Sequence, residues 1–110
     1  MIIGTRSLTL RDDDGDKEIQ IRLHAPEKAP VDWVCRFEID WPEGRAERWG
    51  AGMDGIDAVL AALKLIGAEI NASDYKKSGR LVWLAPGRGF GFPVPNNIRD
   101  LLEGDDARYL

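Results

Sequence analysis

Acidic residues are concentrated near the start of the sequence, where Asp12, Asp14 and Asp16 occupy alternate positions. Calcium-binding loops space their carboxylates in this way, because the ion collects many oxygen ligands from one stretch of chain. The EF-hand also requires a glycine directly after the third carboxylate and a glutamate at its last position. Those two positions here hold Lys17 and Leu23. The segment therefore predicts an acidic turn between two strands, and no metal site.

His24 and Cys35 are the single histidine and the single cysteine of the chain. A nucleophilic Cys–His pair needs direct contact and a third group that orients the histidine. Cys35 shares strand parity with apolar Trp33 and Phe37, whereas His24 alternates with apolar Leu23. These parities place the two side chains apart, and one cysteine with one histidine cannot complete a zinc site. We assign no catalytic residue, no metal and no cofactor.

Residues 87–91 read Gly-Arg-Gly-Phe-Gly, which has the glycine content of a phosphate-binding loop. Such loops run directly into a helix, whose first N–H groups complete the anion site. Phe92 and Pro93 follow here instead. A hairpin turn is therefore the better interpretation, with Arg88 at its tip.

Four basic side chains lie in or near the predicted strand at residues 80–85. If the fold brings them together beside Tyr75, they form a candidate anion-contacting patch for phosphate or an acidic protein. The members of this patch are Lys76, Lys77, Arg80 and Arg88. A solvated loop is the alternative interpretation.

The charge balance disfavours a nucleic-acid binder. The 110 residues include 15 basic and 19 acidic side chains, which gives a formal net charge of −4. Proteins that bind DNA or RNA normally present a basic surface, because neutralising phosphates supplies much of their affinity. One domain, residues 1–110, is expected at this length.

The expected compartment is the cytoplasm. No apolar run is long enough to span a membrane, and the first residues do not resemble a secretion signal. Small secreted domains usually carry several cysteines, whereas the lone Cys35 cannot form an intramolecular disulfide. We therefore expect no membrane partner.

Alternation of apolar and polar residues predicts an antiparallel meander in the first half of the chain. The predicted strands are residues 2–10, 17–24, 31–41 and 45–50. The third strand has the clearest pattern, because one apolar parity runs from Val31 to Trp41. The face of the sheet that carries this parity is expected to be the core.

A helix is predicted over residues 55–70, with Asp54 as its N-cap. Apolar residues recur there at helical spacing and define the face expected to lie on the sheet. They are Ile56, Val59, Leu60, Leu63, Ile66 and Ile70. We expect Leu60 and Leu63, in the middle of this face, to be buried against Phe37.

The last part of the chain predicts a small hairpin, formed by residues 80–85 and 90–92, and a short helix that ends at Glu103. From Gly104 onward the tail is expected to fray. The fold class is therefore α+β. It combines an antiparallel β meander of about four strands with one main α-helix packed on one face, a C-terminal β-hairpin and a short terminal helix.

The order of these motifs resembles a family of short, uncharacterised bacterial proteins known only as a domain of unknown function. Residues 33–39, Trp-Val-Cys-Arg-Phe-Glu-Ile, are similar to the family's Trp-Cys-x-Phe-x-Ile-like strand. The helix at residues 52–69, a strand containing Trp83 and the Gly-Phe-Pro ending at residues 91–93 follow in the family's order. The resemblance covers roughly residues 5–93. It implies the order of the elements and brings no activity, cofactor or catalytic residue.

The tryptophans provide the strongest indication of function, because this residue is enriched at binding hot spots. The apolar parity from Val31 to Trp41 spans roughly 36 Å at the rise of a strand, whereas the predicted helix is about 24 Å long. The helix therefore cannot cover this face from end to end. Trp41 and Trp49 form the candidate interface, covered either by a protein partner or by the C-terminal segment from Phe90 to Leu102.

Two function classes follow from these observations. The favoured one is a non-catalytic protein-interaction module, as a homodimer or as an inhibitor-like or immunity-like protein. The alternative is a small-ligand-binding protein or an enzyme that uses Asp54 or Asp57 with Arg88 in a cleft between helix and sheet. A flat apolar patch beside Trp41 and Trp49 favours the first class, and a deep cleft with convergent polar groups favours the second.

Overall fold

The computed structural model describes all residues from Met1 to Leu110. Six strands, three α-helices and one 3₁₀ helix form along the chain. The strands are β1 (Ile2–Leu10), β2 (Lys17–His24), β3 (Glu27–Lys28), β4 (Trp33–Trp41), β5 (Gly44–Gly52) and β6 (Leu81–Val82). The helices are α1 (Gly55–Asn71), α2 (Asp74–Lys77), the 3₁₀ helix (Asn96–Leu101) and α3 (Gly104–Tyr109).

All six strands belong to one antiparallel sheet, whose main order is β5-β4-β2-β1-β6. Strand β5 pairs with β4 along its whole length, from Gly44 opposite Trp41 to Gly52 opposite Trp33. The other edge of β4 is shared by β2 and the short β3. The four long strands confirm the predicted meander, and together with α1 they confirm the α+β class.

Asp54 caps helix α1, which confirms its predicted position. Its Oδ1 accepts a hydrogen bond from the backbone N–H of Asp57 at 2.8 Å, and the Asp57 carboxylate accepts one from the N–H of Met53 at 2.9 Å. The first exchange satisfies a donor that the first turn leaves without an intrahelical partner. Both carboxylates are thereby held at the start of the helix.

Helix α1 packs on β5 through its smallest side chains. Ala58 and Ala62 are fully buried, and they lie against Gly52 and Gly50 of the strand. A Cβ added at Gly50 would overlap the backbone nitrogen of Ala62, and one at Gly52 would overlap that of Ala58. The backbones of helix and strand therefore meet directly, as only glycine permits here.

The prediction that Leu60 is buried is wrong, because its side chain is 49% exposed. Ala58, Ala62, Ile66 and Ile70 are the fully buried apolar residues of α1, so the predicted face is correct at Ile66 and Ile70 and wrong at Leu60. Leu63 is only half-buried and packs against the margin of the core. In the first half of the helix, where the backbone of β5 comes closest, the small residues Ala58 and Ala62 take the contact positions instead of the bulky ones.

The predicted C-terminal hairpin does not form. Leu81 and Val82 pair instead with Leu10 and Thr9 of β1, and residues 90–92 form no strand. Phe90 and Phe92 of this segment are buried in the main core, and Val94 is buried beside Gly67 of α1. The predicted return strand at residues 90–92 does not form, because the three glycines of residues 87–91 all have positive φ. Extended strand backbone does not adopt that conformation.

Gly67 marks the point where this segment meets helix α1. A Cβ at Gly67 would overlap the carbonyl oxygen of Pro93. The helix continues past Gly67 to Asn71. The terminal helix α3 occupies residues that were expected to fray, so that prediction is also wrong. None of the helices combines the length and the apolar character needed to cross a membrane.

Candidate functional site

Trp41 and Trp49 lie on opposite faces of the sheet. In the β4–β5 register, Trp49 stands opposite Arg36, whereas the core residue Phe37 stands opposite Arg48. Directly opposed residues of an antiparallel pair share a face. Trp41 therefore lies on the helix-covered face and Trp49 on the outer face, so the two do not form one patch.

The end of the sheet at Trp41 is covered by the chain itself. The rings of Trp41 and Tyr75 stack with their centroids 5.3 Å apart and their planes 18° apart. Tyr75 belongs to α2, directly after the main helix, and its hydroxyl donates a hydrogen bond to Glu43. That bond raises the pKa of Tyr75. The predicted length mismatch is smaller than expected, because β4 begins at Trp33 and leaves Val31 exposed outside the strand. At the other end α2 covers Trp41, without a partner and without the segment from Phe90 to Leu102.

Trp49 is the exposed aromatic of the outer face, with 62% of its surface accessible to solvent. It lies on β5, which pairs only with β4. The other edge of β5 is open over the whole length of the strand. An exposed tryptophan and a free strand edge thus occur on the same element.

The rest of the outer face carries a network of charged side chains. Arg22 donates two hydrogen bonds to the Asp40 carboxylate, at 2.6 and 3.0 Å, and lies 3.7 Å from Glu38. Arg45 of β5 contacts Asp40 at 3.0 Å. Hydrogen bonding from Arg22 lowers the pKa of Asp40, and the same bond raises the pKa of Arg22. The network keeps this part of the face polar and leaves Trp49 as its apolar feature.

His24 and Cys35 have separate partners. The His24 ring lies 3.2 Å from a Glu38 carboxylate oxygen. The Cys35 thiol is buried and donates to the backbone carbonyl of His24 at 3.2 Å. Burial raises the pKa of Cys35, which favours the unreactive thiol form. No group of three or more His, Cys, Asp or Glu side chains is placed to hold a metal ion.

The four basic residues of the predicted anion-contacting patch have different partners. Arg80 lies over the Tyr75 ring at 5.6 Å and lines a shallow depression. Lys76 donates to the carbonyl of Leu101. Arg88 lines a different depression, where it binds the Asp105 carboxylate at 2.7 Å. Lys77, the remaining member, is exposed.

The depression beside Arg80 is also acidic in part. Its wall includes three carboxylates together with Trp41 and Tyr75; they are Glu43, Glu69 and Asp74. Negative side chains this close to Arg80 oppose the binding of a phosphate or an acidic peptide. An anion-contacting role for the basic residues is therefore supported only by their composition.

The glycine-rich loop at residues 87–91 does hold an anion, which is the carboxylate of Asp106. The backbone N–H of Phe90 donates to Asp106 Oδ2 at 2.6 Å, and that of Gly91 donates to Oδ1 at 2.9 Å. Asp106 is only 3% exposed. Successive backbone N–H groups that converge on one point make an anion-binding concavity. The loop is therefore neither the tip of a hairpin nor the start of a helix.

Arg6 lies on the other side of the same loop. Its guanidinium stacks over the Trp83 ring at 4.0 Å and the Phe92 ring at 4.6 Å, and it donates to the carbonyls of Phe90 and Gly91 at 3.0 and 3.2 Å. Burial lowers the pKa of Arg6, and the negative charge of Asp106 opposes that shift. Cation–π contacts of this kind are strongest when the cation is desolvated.

Sequence reasoning missed both Arg6 and Asp106. The glycine spacing of residues 87–91 was a usable signal, because glycines with positive φ expose consecutive N–H groups. Nothing in the local sequence of Asp106 marks it, since Asp105 beside it is exposed.

A cleft of about 170 Å³ opens between α1 and the first two strands. Its lining is mainly apolar and includes Leu63, Phe92 and the Arg6 side chain. The alternative hypothesis places carboxylates such as Asp54 or Asp57 with Arg88 in a cleft between helix and sheet. None of these three residues lines this cleft: the aspartates lie at the start of α1, and Arg88 pairs with Asp105.

Comparison with known families places the chain in one of them. Residues 4–94 match a domain of unknown function (DUF6968), so the chain belongs to this family. The match includes β1 from residue 4 onward, the other five strands, helix α1 and the glycine-rich loop, and it ends before α3. No curated protein and no solved structure matches the chain.

Proposed function

We propose that this protein is a non-catalytic protein-interaction module that binds through Trp49 and the open edge of β5. The observation that carries the proposal is Trp49, 62% exposed on a strand with one unpaired edge. We also propose that it acts in the bacterial cytoplasm, where a buried free thiol such as Cys35 stays reduced.

Trp49 has the properties of a binding anchor. A tryptophan removes on the order of 150–250 Å² from water when a partner covers it, and it dominates many interfaces. Its register neighbour Arg36 is exposed, and arginine is the other residue type enriched at such sites. The surroundings of Trp49 are charged, which matches the polar rim around an interface core.

The open edge of β5 supplies backbone groups for a second strand. An exposed edge offers unpaired N–H and C=O groups to an extended segment of another chain. Arg45 and Glu47 are both exposed on the outer face of this strand. Charges on an edge strand discourage indiscriminate pairing, so they favour a partner with complementary charges.

A second copy of this chain has that complementarity. Two β5 strands that pair antiparallel about Ala46 place Arg45 of each copy opposite Glu47 of the other. Shifting this register by two residues sets Arg45 opposite Arg45, or Glu47 opposite Glu47, which like-charge repulsion disfavours. Trp49 then lies diagonal to Arg45 of the partner subunit, a spacing that aromatic side chains can bridge.

Sedimentation velocity over a range of concentrations tests this proposal. The wild-type chain is expected to form a dimer, and Trp49→Ala is expected to weaken it at least tenfold, about 1.4 kcal/mol. Ile56→Ala serves as the control, because Ile56 is a still more exposed apolar residue, on α1. The dimer should persist in this variant.

Charge reversal examines the register itself. Arg45→Glu should weaken the dimer, and the double variant Arg45→Glu with Glu47→Arg should restore it. A wild-type chain that remains monomeric at high concentration contradicts self-association. Equal losses from Trp49→Ala and Ile56→Ala contradict the role of Trp49.

A further inference from the structure

The glycine-rich loop binds the Asp106 carboxylate as an anion-binding site binds an anion. The two carboxylate oxygens of Asp106 accept from two successive backbone N–H groups, those of Phe90 and Gly91. No side chain forms an ion pair with this buried carboxylate within 4.0 Å. Its hydrogen-bond donors are therefore the backbone of the loop.

Arg6 strengthens a backbone donor of this loop by binding to the carbonyl side of the same peptide group. The peptide group between Phe90 and Gly91 accepts a hydrogen bond from Arg6 at its carbonyl and donates one to Asp106 at its N–H. A cation on the oxygen side polarises the peptide, so its N–H becomes a better donor to an anion. The rings of Trp83 and Phe92 keep this cation in place.

The carboxylate of Asp106 fits beside the loop because residue 89 is glycine. Its φ is +96°, and a Cβ there would lie within 2.6 Å of Asp106 Oδ2. Any other residue at this position would fill the space that the carboxylate occupies. The loop is therefore shaped around an anion and not merely around a turn.

Asp106 belongs to the short helix α3, which also contacts the loop through a hydrogen bond from the Asp105 N–H to the Arg88 carbonyl at 2.9 Å. Helix α3 has six residues, and Asp106 is its only buried one. The helix has no side-chain N-cap, and the Arg88–Asp105 pair beside it is exposed. The family match covers Arg6 and residues 87–91, but ends at residue 94, before α3 begins.

We propose that residues 89–91, backed by Arg6, form a binding site for an aspartate side chain on a peptide segment. In this chain Asp106 occupies the site in cis, so α3 acts as a built-in competitor. An Asp-bearing peptide supplied in trans can take the same place once Asp106 no longer fills it. This site lies on the glycine-rich loop, and it is independent of Trp49 and the β5 edge.

The test uses the full chain with Asp106→Ala, which leaves the two N–H donors free. The probes are acetate and an end-blocked peptide of residues 103–110, Glu-Gly-Asp-Asp-Ala-Arg-Tyr-Leu. Amide ¹H–¹⁵N spectra should show both probes shifting the signals of Phe90 and Gly91 in the variant. The peptide should bind at least tenfold more tightly than the same peptide carrying Asp106→Asn.

Two controls define the outcome. The wild-type chain and Asp105→Ala, which removes only the exposed neighbour, should both bind the peptide at least tenfold more weakly, because Asp106 still fills the site. If Asp106→Ala fails to fold, Asp106→Asn replaces it as the test variant, because asparagine keeps the side-chain volume. The asparagine amide should bind the loop more weakly than a carboxylate, so the Asp peptide should displace it. A folded variant whose Phe90 and Gly91 signals ignore both probes overturns the proposal, as does equal binding of the Asp and Asn peptides.

Discussion

The two halves of the sheet are covered in different ways. Over β4 and β5, helix α1 lies so close that Ala58 and Ala62 meet glycines of the strand. Over β1 and β2, the cover is irregular chain that contributes aromatic rings and ends in a buried charge, Asp106. The helical half depends on the absence of side-chain volume. The irregular half depends on large side chains and on polar groups that must all find partners.

The largest effect is expected in the irregular half, from Phe90→Ala. Phe90 is among the largest fully buried side chains, and its loss should leave a cavity in the core. We expect the free energy of unfolding to fall by about 3–5 kcal/mol. Urea denaturation measures this change. Phe90→Leu should lower the free energy of unfolding by less than half as much as Phe90→Ala does. A loss below about 1 kcal/mol would show that the segment after Gly89 is a loose cover.

The second prediction concerns the helical half, where adding one methyl group should be destabilising. Gly50→Ala places a Cβ on the backbone of Ala62, so helix and strand must separate, at a cost of about 3 kcal/mol. Gly4→Ala is the matched control, because Gly4 also lies in a strand and a Cβ there meets nothing within 4 Å. Its unfolding free energy should remain close to that of the wild type, and similar losses in both variants would argue against direct backbone contact.

The third prediction tests the buried charge. Asp106→Ala leaves the N–H groups of Phe90 and Gly91 without their acceptor, and an unpaired buried donor costs about 1–3 kcal/mol. Thermal unfolding should therefore show a clear drop in Tm. Asp105→Ala should change stability by less than about 0.5 kcal/mol, because the Arg88 pair that it breaks is exposed. Equal effects of the two variants would remove the distinction.

A smaller effect is expected at the start of the helix. Asp54→Ala removes the acceptor for the Asp57 N–H and should cost about 1 kcal/mol. Asp54→Asn keeps a capping oxygen and should retain most of that stability. Chemical denaturation of the three proteins side by side measures the difference, and an unchanged midpoint in Asp54→Ala contradicts the cap.

The smallest effect should come from the leucine that the structure leaves in solvent. Leu60→Ala should change the unfolding free energy by no more than about 0.5 kcal/mol, because the side chain is largely exposed. Leu63→Ala, half-buried at the margin of the core, should cost more. A larger loss from Leu60→Ala than from Leu63→Ala would mean that α1 packs on the sheet through Leu60.

The resemblance of the chain to a domain of unknown function is confirmed over most of its length. The β meander and the start of α1 were predictable from the sequence for a different reason, because strand parity, the turn residues and the N-cap are local signals. Alternation from Trp33 to Trp41 determined which face of β4 lies in the core, although the predicted start of this strand at Val31 is wrong because Val31 is exposed and precedes β4. Asp54 determined where α1 begins. These features depend on residues that are neighbours in the chain, so their types and spacing were sufficient.

The face on which Trp49 lies was decided only by the tertiary structure. Gly44 pairs with Trp41, so odd-numbered residues of β5 lie opposite even-numbered residues of β4. The two-residue loop between the strands thus reverses the parity, and equal numbering of Trp41 and Trp49 carried no information about a shared face. A loop one residue longer or shorter would have changed that result.

The contact line of α1 and the site of Asp106 were decided in the same way. Ala58 and Ala62 face the sheet because β5 presents glycines to them, and helical periodicity does not report what lies across the interface. Asp106 meets a loop fifteen residues earlier in the chain. The sequence determined the local elements because their energies depend on near neighbours. Which side chains meet between those elements depended on close packing and on satisfying buried polar groups, and both are properties of the assembled fold.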